Sequence, residues 1–513
     1  MGRKDVNCVL ALLLGLGGLT AGLPPTIARP FSLSQPVRMR HHWDCRLLAE
    51  SGLKDQLFFA GDVEYSKTLN TYYAGESRNM RPQCIVKPET TGQASIAIQV
   101  LNSDKVGKCW SVAIRAGGHS NFPASNTNSG VTIDLVNLNN LSIEINGTVS
   151  VGSGNRWGDV YRFLEPQGLM TSGGRENTVG VSGLLLGGGF SWFSGQVGFA
   201  ADSVVEYEVV LASGNLVRAS QDENFDLFKA LKGGACNFGL VTKFVLETFP
   251  SRNFYGGVMV FPWAQKNAII QTFVEMIDGN TNGHPEDTGF AAAAWSPSGG
   301  KRMSFVVANI EGQSNSTAFA GLEVLSPVVD MRANLPVTGI AAQIASKSGE
   351  YQVWSTLTFH NTLDMGREVL LSFDAVIEDI HDQVENGDDF RIVYLLTPFP
   401  TLFSSYGDNV LGLDKTHEKN SIVFSIQGIL PNTKYVGLLR QRLREATADI
   451  EAYARATGQL IPYLYLNYAG QDQRPLATYG EENIRFLKRI AERYDPGQFF
   501  QYGVPGGFKI KDV

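Results

Sequence analysis

Arg115-Ala-Gly-Gly-His119-Ser120 follows directly on the apolar run Trp110-Ser-Val-Ala-Ile-Arg115, and further on Gly173–Gly189 reads GGRENTVGVSGLLLGGG. The first stretch predicts a strand that ends in a sharp turn, because paired glycines let the backbone fold back on itself. Such a turn exposes consecutive N–H groups, which can form a concave anion site fit for a pyrophosphate, with His119 projecting beside it. An ordinary tight turn with a solvated histidine fits the hexapeptide as well. The second stretch holds seven glycines in seventeen residues. That density implies backbone packed against another strand or a flat ligand. Val179, Val181 and Leu184–Leu186 seek burial, which argues against a mobile loop. A third segment, Lys232-Gly-Gly-Ala-Cys-Asn-Phe-Gly239-Leu-Val-Thr242, leads into the strand VTKFVLETF and again implies close backbone approach.

Working outward, helical spacing is expected at Gln93–Leu101, and strands at Val131–Leu135, Leu141–Ile145 and Thr148–Val151. Asn146–Gly147 marks a hairpin between the last two. A second hairpin is expected at Val204–Leu211 and Leu216–Ala219. Residues 40–80 read as an irregular lead-in. Beyond Ser251 the texture changes. Helices are expected at Ala264–Ile277, Thr317–Val324, Gly366–Val384, Gly437–Thr457 and Glu481–Tyr494. Strands are expected at Gly257–Phe261, Met303–Asn309, Arg391–Leu396 and Ser421–Gln427, with an aromatic strand at Ile461–Gly470 (IPYLYLNYAG). The fold class is α+β.

The 513 residues suffice for two to four folding units, and 43% apolar with 18% charged residues excludes a disordered chain or a coiled coil. A net charge of −7 disfavours nucleic-acid binding and polybasic membrane binding. Arg3 and Lys4, an apolar run from Val9 to Leu19, and Thr20-Ala-Gly22 follow the order of a secretory signal peptide, residues 1–22. The run is shorter than the ~20 residues of a membrane span. Cys45, Cys84, Cys109 and Cys236 remain, and three pairings are open to them. Cys45–Cys84 is favoured, with Cys109–Cys236 compatible. Asn140, Asn146 and Asn315 head glycosylation sequons. No histidine stands at zinc-ligand spacing from a cysteine, so no metal is expected. A Walker A sequence and a G-x-S-x-G elbow are both missing, and Trp157 breaks the dinucleotide fingerprint begun at Gly152-Ser-Gly154.

Together RPQCIVKPETTGQ, IRAGGHS, GGRENTVGVSGLLLGGG, GFAADSVVEYEVVLASG, GGACNFGLVTKF, YLNYAG, YGEEN and YDPGQFF stand in a family order. The chain resembles the FAD-linked oxidoreductases of the vanillyl-alcohol oxidase type (PCMH-type FAD-binding domain), in their berberine-bridge-enzyme-like branch. The resemblance covers residues 40–510. It implies a two-part α/β FAD-binding domain over 40–250 and an α+β substrate domain over 251–455, whose antiparallel sheet is covered by helices. A segment over 456–510 would return to the first domain.

The resemblance also implies the cofactor, FAD, linked through its 8α-methyl to His119. The link keeps the flavin in place and raises its potential. Arg115, Ala116, Gly117, Gly118, Ser120, Thr178, Val179, Gly180 and Gly183 would line the flavin or its phosphates, with Gly239, Val241 and Asn467 contacting it from other segments. Many relatives carry a second link through a Cys just before T-V-G-V. Glu176 and Asn177 occupy that region here, so a single link is expected, and with it a smaller substrate than an extended sugar. Val179 falls where the family gates oxygen, which points to O2 as acceptor and H2O2 as by-product.

Tyr465 and Tyr468 are the candidate catalytic bases; packing against the ring is the alternative for both. A base among them would need a nearby positive charge. The family's carboxylate follows a PFPHR-like stretch, and Pro398-Phe-Pro400 is followed here by Thr401-Leu402, so no acid can be placed. His360, Tyr394 and Gln427 are expected in the substrate pocket. His41, His42, His284, His381 and His417 are expected on the surface, and Trp354 in the core.

The expected function is a secreted oxidase of an alcohol, amine or phenolic carbon in a small metabolite, in secondary metabolism. A cyclase or isomerase without net redox change and a non-catalytic flavin protein are the alternatives. Oxygen uptake would separate them. Oligomeric state is left open by the sequence.

Overall fold

The computed structural model describes residues 43–103, 111–281, 283–385, 388–414 and 416–513. The expected signal peptide, His41, His42, Trp110 and Cys109 lie outside them.

Two small sheets precede a large one. In the first, Cys84–Val86, Val131–Asp134 and Val112–Arg115 run parallel, with Leu57–Phe58 antiparallel at the edge. Apart from the half-buried Ile114, the three parallel strands are buried, as a sheet covered on both faces requires. The helix Thr91–Leu101 crosses over it, its N-terminus capped by Thr90, whose hydroxyl accepts Gln93 N–H at 3.2 Å. The second sheet is antiparallel, in the order Leu141–Ile143, Val149–Gly152, Leu240–Leu246, Val204–Val210, Leu216–Ser220. Its two expected hairpins turn at Gly147 (φ 81°) and Gly214 (φ 83°), where only glycine avoids strain.

The lead-in is more regular than its sequence suggests, with helices at Trp43–Leu48, Val63–Asn70 and Gly75–Asn79. Cys45 and Cys84 form a disulfide across 39 residues that ties the first of these helices to the parallel sheet. Loop closure of that length stabilises by about 4 kcal/mol in the chain-entropy account. Cys45→Ser is therefore expected to lower the melting temperature by several degrees under oxidising conditions and to make it insensitive to reductant. A melting curve matching the wild type would show that the bridge adds nothing.

The third sheet has nine strands. Its spine runs Phe254–Pro262, Gly300–Asn309, Asp287–Ser296, Arg391–Phe399, Ser421–Leu430, Tyr351–His360, all antiparallel neighbours. Helices Lys266–Thr281, Leu363–His381 and Val436–Ala456 cover one face. The period-2 alternation of strands sorts the side chains. Ile392, Tyr394, Leu396, Phe424 and Ile426 pack under the helices, while Val393, Leu395, Gln427 and Ile429 face a cavity on the other side. Two strands of this spine, Asp287–Ser296 and Tyr351–His360, were not expected, because alanine runs and scattered polar residues mask their period.

The expected aromatic strand at 461–470 is mostly not a strand. Only Leu460–Ile461 pairs with the sheet, and Leu466–Tyr468 forms a 3-10 turn. Tyr463 and Tyr465 are buried there as single anchors, not as an alternating strand face. The helix Glu481–Tyr494 then packs on Phe225–Leu231 of the N-terminal half. Among the described residues, no helix is long and apolar enough to cross a membrane.

Candidate active site

A cavity of about 460 Å³ lies between the glycine-rich turns and the open face of the large sheet. Its floor is built by two backbones in direct contact. A Cβ on Gly117 would sit 2.4 Å from Gly180 Cα, and one on Gly180 would sit 2.6 Å from Gly117 Cα. This is why both segments need glycine at these positions. Gly118, at φ 63°, takes a left-handed conformation. Arg156 joins the two turns: its guanidinium donates to Gly117 O at 2.7 Å and to Thr178 O. Among the described residues, the N–H groups of Gly117, Gly118, His119 and Ser120 donate to no protein acceptor. A glycine cradle that any Cβ would fill, with unpaired donors along its rim, fits a flat cofactor carrying phosphates.

Of the residues expected around the cofactor, Ala116, Gly117, Gly118, His119, Ser120, Val179, Gly180, Gly183, Gly239, Val241 and Asn467 line the cavity. Thr178 stands one step behind, its hydroxyl 3.1 Å from His119 Nε2. Arg115 is a correction. It is buried and points away from the cavity, bonded to Asp134 at 2.7 Å and Thr71 at 2.8 Å, under the ring of Tyr72. It holds the turn in place from below. Asn467 donates to Leu184 O at 3.1 Å and packs on Gly187, tying the C-terminal segment to the glycine-rich loop.

His119 is held on three sides. The Tyr73 ring stacks on it, centroids 4.1 Å apart and 10° from parallel. Glu176 Oε2 and Thr178 Oγ1 both lie 3.1 Å from Nε2. Burial pushes the Glu176 carboxyl up, but its bonds and charge interaction with His119 and its bonds with Thr178 outweigh this and hold it below the ordinary carboxylate range.

Opposite, Tyr465 and Tyr468 also line the cavity and differ in role. Tyr465 is buried. Its oxygen accepts Phe190 N–H at 2.9 Å and the Asn467 amide at 3.2 Å. Burial, then the neighbouring Tyr468, push its hydroxyl well above its ordinary value, so it keeps its proton. Tyr468 receives a hydrogen bond from Arg175 at 2.6 Å. The Arg175 guanidinium in turn lies 4.8 Å from the Phe290 ring centroid and 5.8 Å from that of Phe190. Among the described residues it has no carboxylate partner. Sequence reading missed Arg175, although it sits inside the quoted GGREN and is the cation that bonds Tyr468.

Gln427 lines the cavity as expected. His360 and Tyr394 do not. Tyr394 is one residue out of phase with the cavity-facing Val393 and Leu395, so it is buried under the helices with Phe373 and Phe424. His360 faces the same side as Trp354 but lies six residues further along the strand, roughly 20 Å at the rise of a β-strand. Trp354 is a cavity wall and not a core residue. It is half-buried, bonded to Gln352 at 2.9 Å, and meets Tyr468 edge to face. His284 and His381 are exposed as expected. His417 is buried. It stacks on Phe399 at 3.9 Å and bonds Ser404 and Phe399 O at 2.8 Å, and burial lowers its pKa to about 4.

Comparison with known proteins agrees with this geometry. Residues 82–220 match the FAD binding domain family model FAD_binding_4. The chain is 32% identical to the FAD-dependent monooxygenase drtC of Aspergillus calidoustus over 91% of its own length and 90% of that protein. Among solved structures, 6-hydroxy-D-nicotine oxidase from Arthrobacter nicotinovorans superposes with a TM-score of 0.70 at 19% identity, covering 86% of this chain and 96% of that one. Berberine bridge enzyme from Eschscholzia californica gives 0.70 at 16%, covering 91% and 99%. The fold and cradle therefore define an FAD-dependent oxidoreductase with a PCMH-type FAD-binding domain. More narrowly, the chain belongs to the vanillyl-alcohol oxidase type family, with the berberine-bridge-like proteins as its structural neighbours.

Proposed function

We propose that the protein is a secreted oxidase that carries FAD on His119 and oxidises a hydroxyl-bearing carbon of a small, largely apolar metabolite, with O2 reduced to H2O2. In this reading residues 40–250 hold the cofactor, residues 251–455 close over it, and 456–510 return to it. When bound, the flavin supplies a hydride acceptor. The chain supplies the rest. Ala292, Val306, Val393, Leu395 and Ile429 form an apolar wall against which a substrate is held. Tyr468, with Arg175 behind it, stands where a substrate hydroxyl would give up its proton, and the guanidinium stabilises negative charge as it develops there.

The Arg175–Tyr468 pair carries this reading. It also narrows the substrate. Arg175, Lys347 and Arg391 put three cations on the cavity wall, against the carboxylates Glu350 and Glu176. Glu350 is already engaged by Arg391 at 2.5 Å, and Glu176 by His119. Among the described residues an ammonium group finds no unpaired carboxylate on the cavity wall, so an alcohol or phenol is favoured over an amine. Val179 on the cavity wall supports O2 as acceptor. The Cys45–Cys84 bridge and the exposed Asn140, Asn146 and Asn315 support a secreted chain.

The test is anaerobic bleaching of the purified yellow protein by panels of alcohols, phenols and amines, with peroxide counted after air is admitted. Arg175→Met is expected to lower kcat/KM for a hydroxyl substrate by roughly 10- to 100-fold, the worth of a charge-assisted hydrogen bond of about 1.5–3 kcal/mol. An unchanged value removes Arg175 from the reading. The relative named a monooxygenase motivates a second reading, in which an oxygen atom enters the product. Labelled O2 separates the two: label in peroxide alone supports the oxidase, and label in product supports oxygenation. Conversion of substrate with no oxygen uptake would point instead to cyclisation or isomerisation.

A further inference from the structure

We infer that Glu176 is the positioning residue for covalent attachment of the flavin: it holds the Nε2 proton of His119 and so leaves Nδ1 as the attacking atom. This rests on the proposed link at His119. The geometry assigns the tautomer. Thr178 donates its hydroxyl proton to Glu176 Oε1, so its oxygen is free to accept. Nε2 therefore faces two acceptors, Glu176 Oε2 and Thr178 Oγ1, each at 3.1 Å, and carries the proton. Among the described residues Nδ1 has no partner, and the His119 side chain lines the cavity. Glu176 is itself nine-tenths buried and accepts the Thr178 N–H at 3.0 Å, which holds the carboxylate against Nε2. Tyr73 locks the ring plane.

The chemistry balances with dioxygen as oxidant. A bond forms between Nδ1 and the 8α carbon. One proton leaves that methyl group, and the Nε2 proton is drawn toward Glu176 as positive charge builds on the imidazole. Two electrons pass to the isoalloxazine and from there to dioxygen, which with the two protons becomes hydrogen peroxide. A buried carboxylate against Nε2 stabilises the cationic imidazole that forms when Nδ1 attacks. A side chain in the region where many relatives carry a second flavin link thus serves the first one here.

The test measures attachment, not turnover. The full chain is produced under riboflavin limitation and given FAD, and covalent flavin is followed by fluorescence on denaturing gels. Flavin bound without a covalent bond is followed separately by release on denaturation. Glu176→Gln keeps the size and loses the charge. It is expected to bind FAD but to attach it at least ~100-fold more slowly than the wild type, the low end of what a positioned acid or base contributes. Attachment at the wild-type rate overturns the inference. If Glu176→Gln takes up no FAD, Glu176→Asp decides: its shorter carboxylate leaves Nε2, and slowed attachment supports the role while an unchanged rate overturns it. If the wild type itself releases all its flavin, the His119 link falls and this role falls with it. If the wild type is linked and the variants keep pace, only the Glu176 role falls.

Discussion

His119→Ala is expected to turn a flavin that stays with the acid-precipitated protein into one that stays wholly in the supernatant. The change is all or none, because a covalent bond and a reversible complex respond oppositely to denaturation. The rest of the site should survive the substitution. The cradle is made by Gly117 and Gly180 backbones and bridged by Arg156, none of which needs the imidazole. Glu176 loses one partner but keeps the Thr178 N–H and hydroxyl. The folded variant should therefore still be yellow before denaturation. The measurement is the visible spectrum of pellet and supernatant for both proteins, with the intact mass of each. Flavin in the wild-type supernatant would end the covalent reading and leave the fold intact. Flavin in the variant pellet would place the link on another side chain.

The same residues show how far a sequence can be read. The cradle was legible because glycine is there for a backbone reason: a Cβ at 117 or 180 meets main chain, and main chain cannot yield. Hairpins with positive-φ glycines and long amphipathic helices were legible on the same grounds. What failed was direction. Tyr394 and Gln427 lie on neighbouring strands of similar composition, and a shift of one residue decides between helix side and cavity side. Arg115 belongs to the quoted motif yet turns to Asp134, a partner 19 residues away that only the parallel pairing of their strands brings near. The Tyr468–Arg175 contact spans 293 residues and has no local signature. His417 was misplaced because a histidine with two bonds and an aromatic face to stack on can be buried at small cost, which composition does not reveal.

Tyr468→Phe is expected to slow reduction of the bound flavin by 10²- to 10⁴-fold, the range for loss of a positioned general base, about 2.7–5.5 kcal/mol of barrier. Only an oxygen is removed. The Tyr468 ring keeps its edge-to-face contacts with Tyr465 at 5.0 Å and Trp354 at 5.8 Å, so flavin content and visible spectrum should be unchanged. Rapid mixing under anaerobic conditions, with any substrate that bleaches the wild type, measures the step directly. Tyr465→Phe is the control that separates chemistry from packing. Tyr465 is held protonated by burial and accepts Phe190 N–H, so its loss leaves a buried donor unpaired. That costs about 1–3 kcal/mol of stability, with a smaller effect on reduction. Opposite behaviour, a slow Tyr465→Phe and a fast Tyr468→Phe, would move the proton acceptor to the deeper tyrosine. Among the described residues the deeper oxygen receives no hydrogen bond from a cation, so the Arg175 guanidinium would then have to act on the substrate itself, and Arg175→Met would raise KM while leaving kcat unchanged.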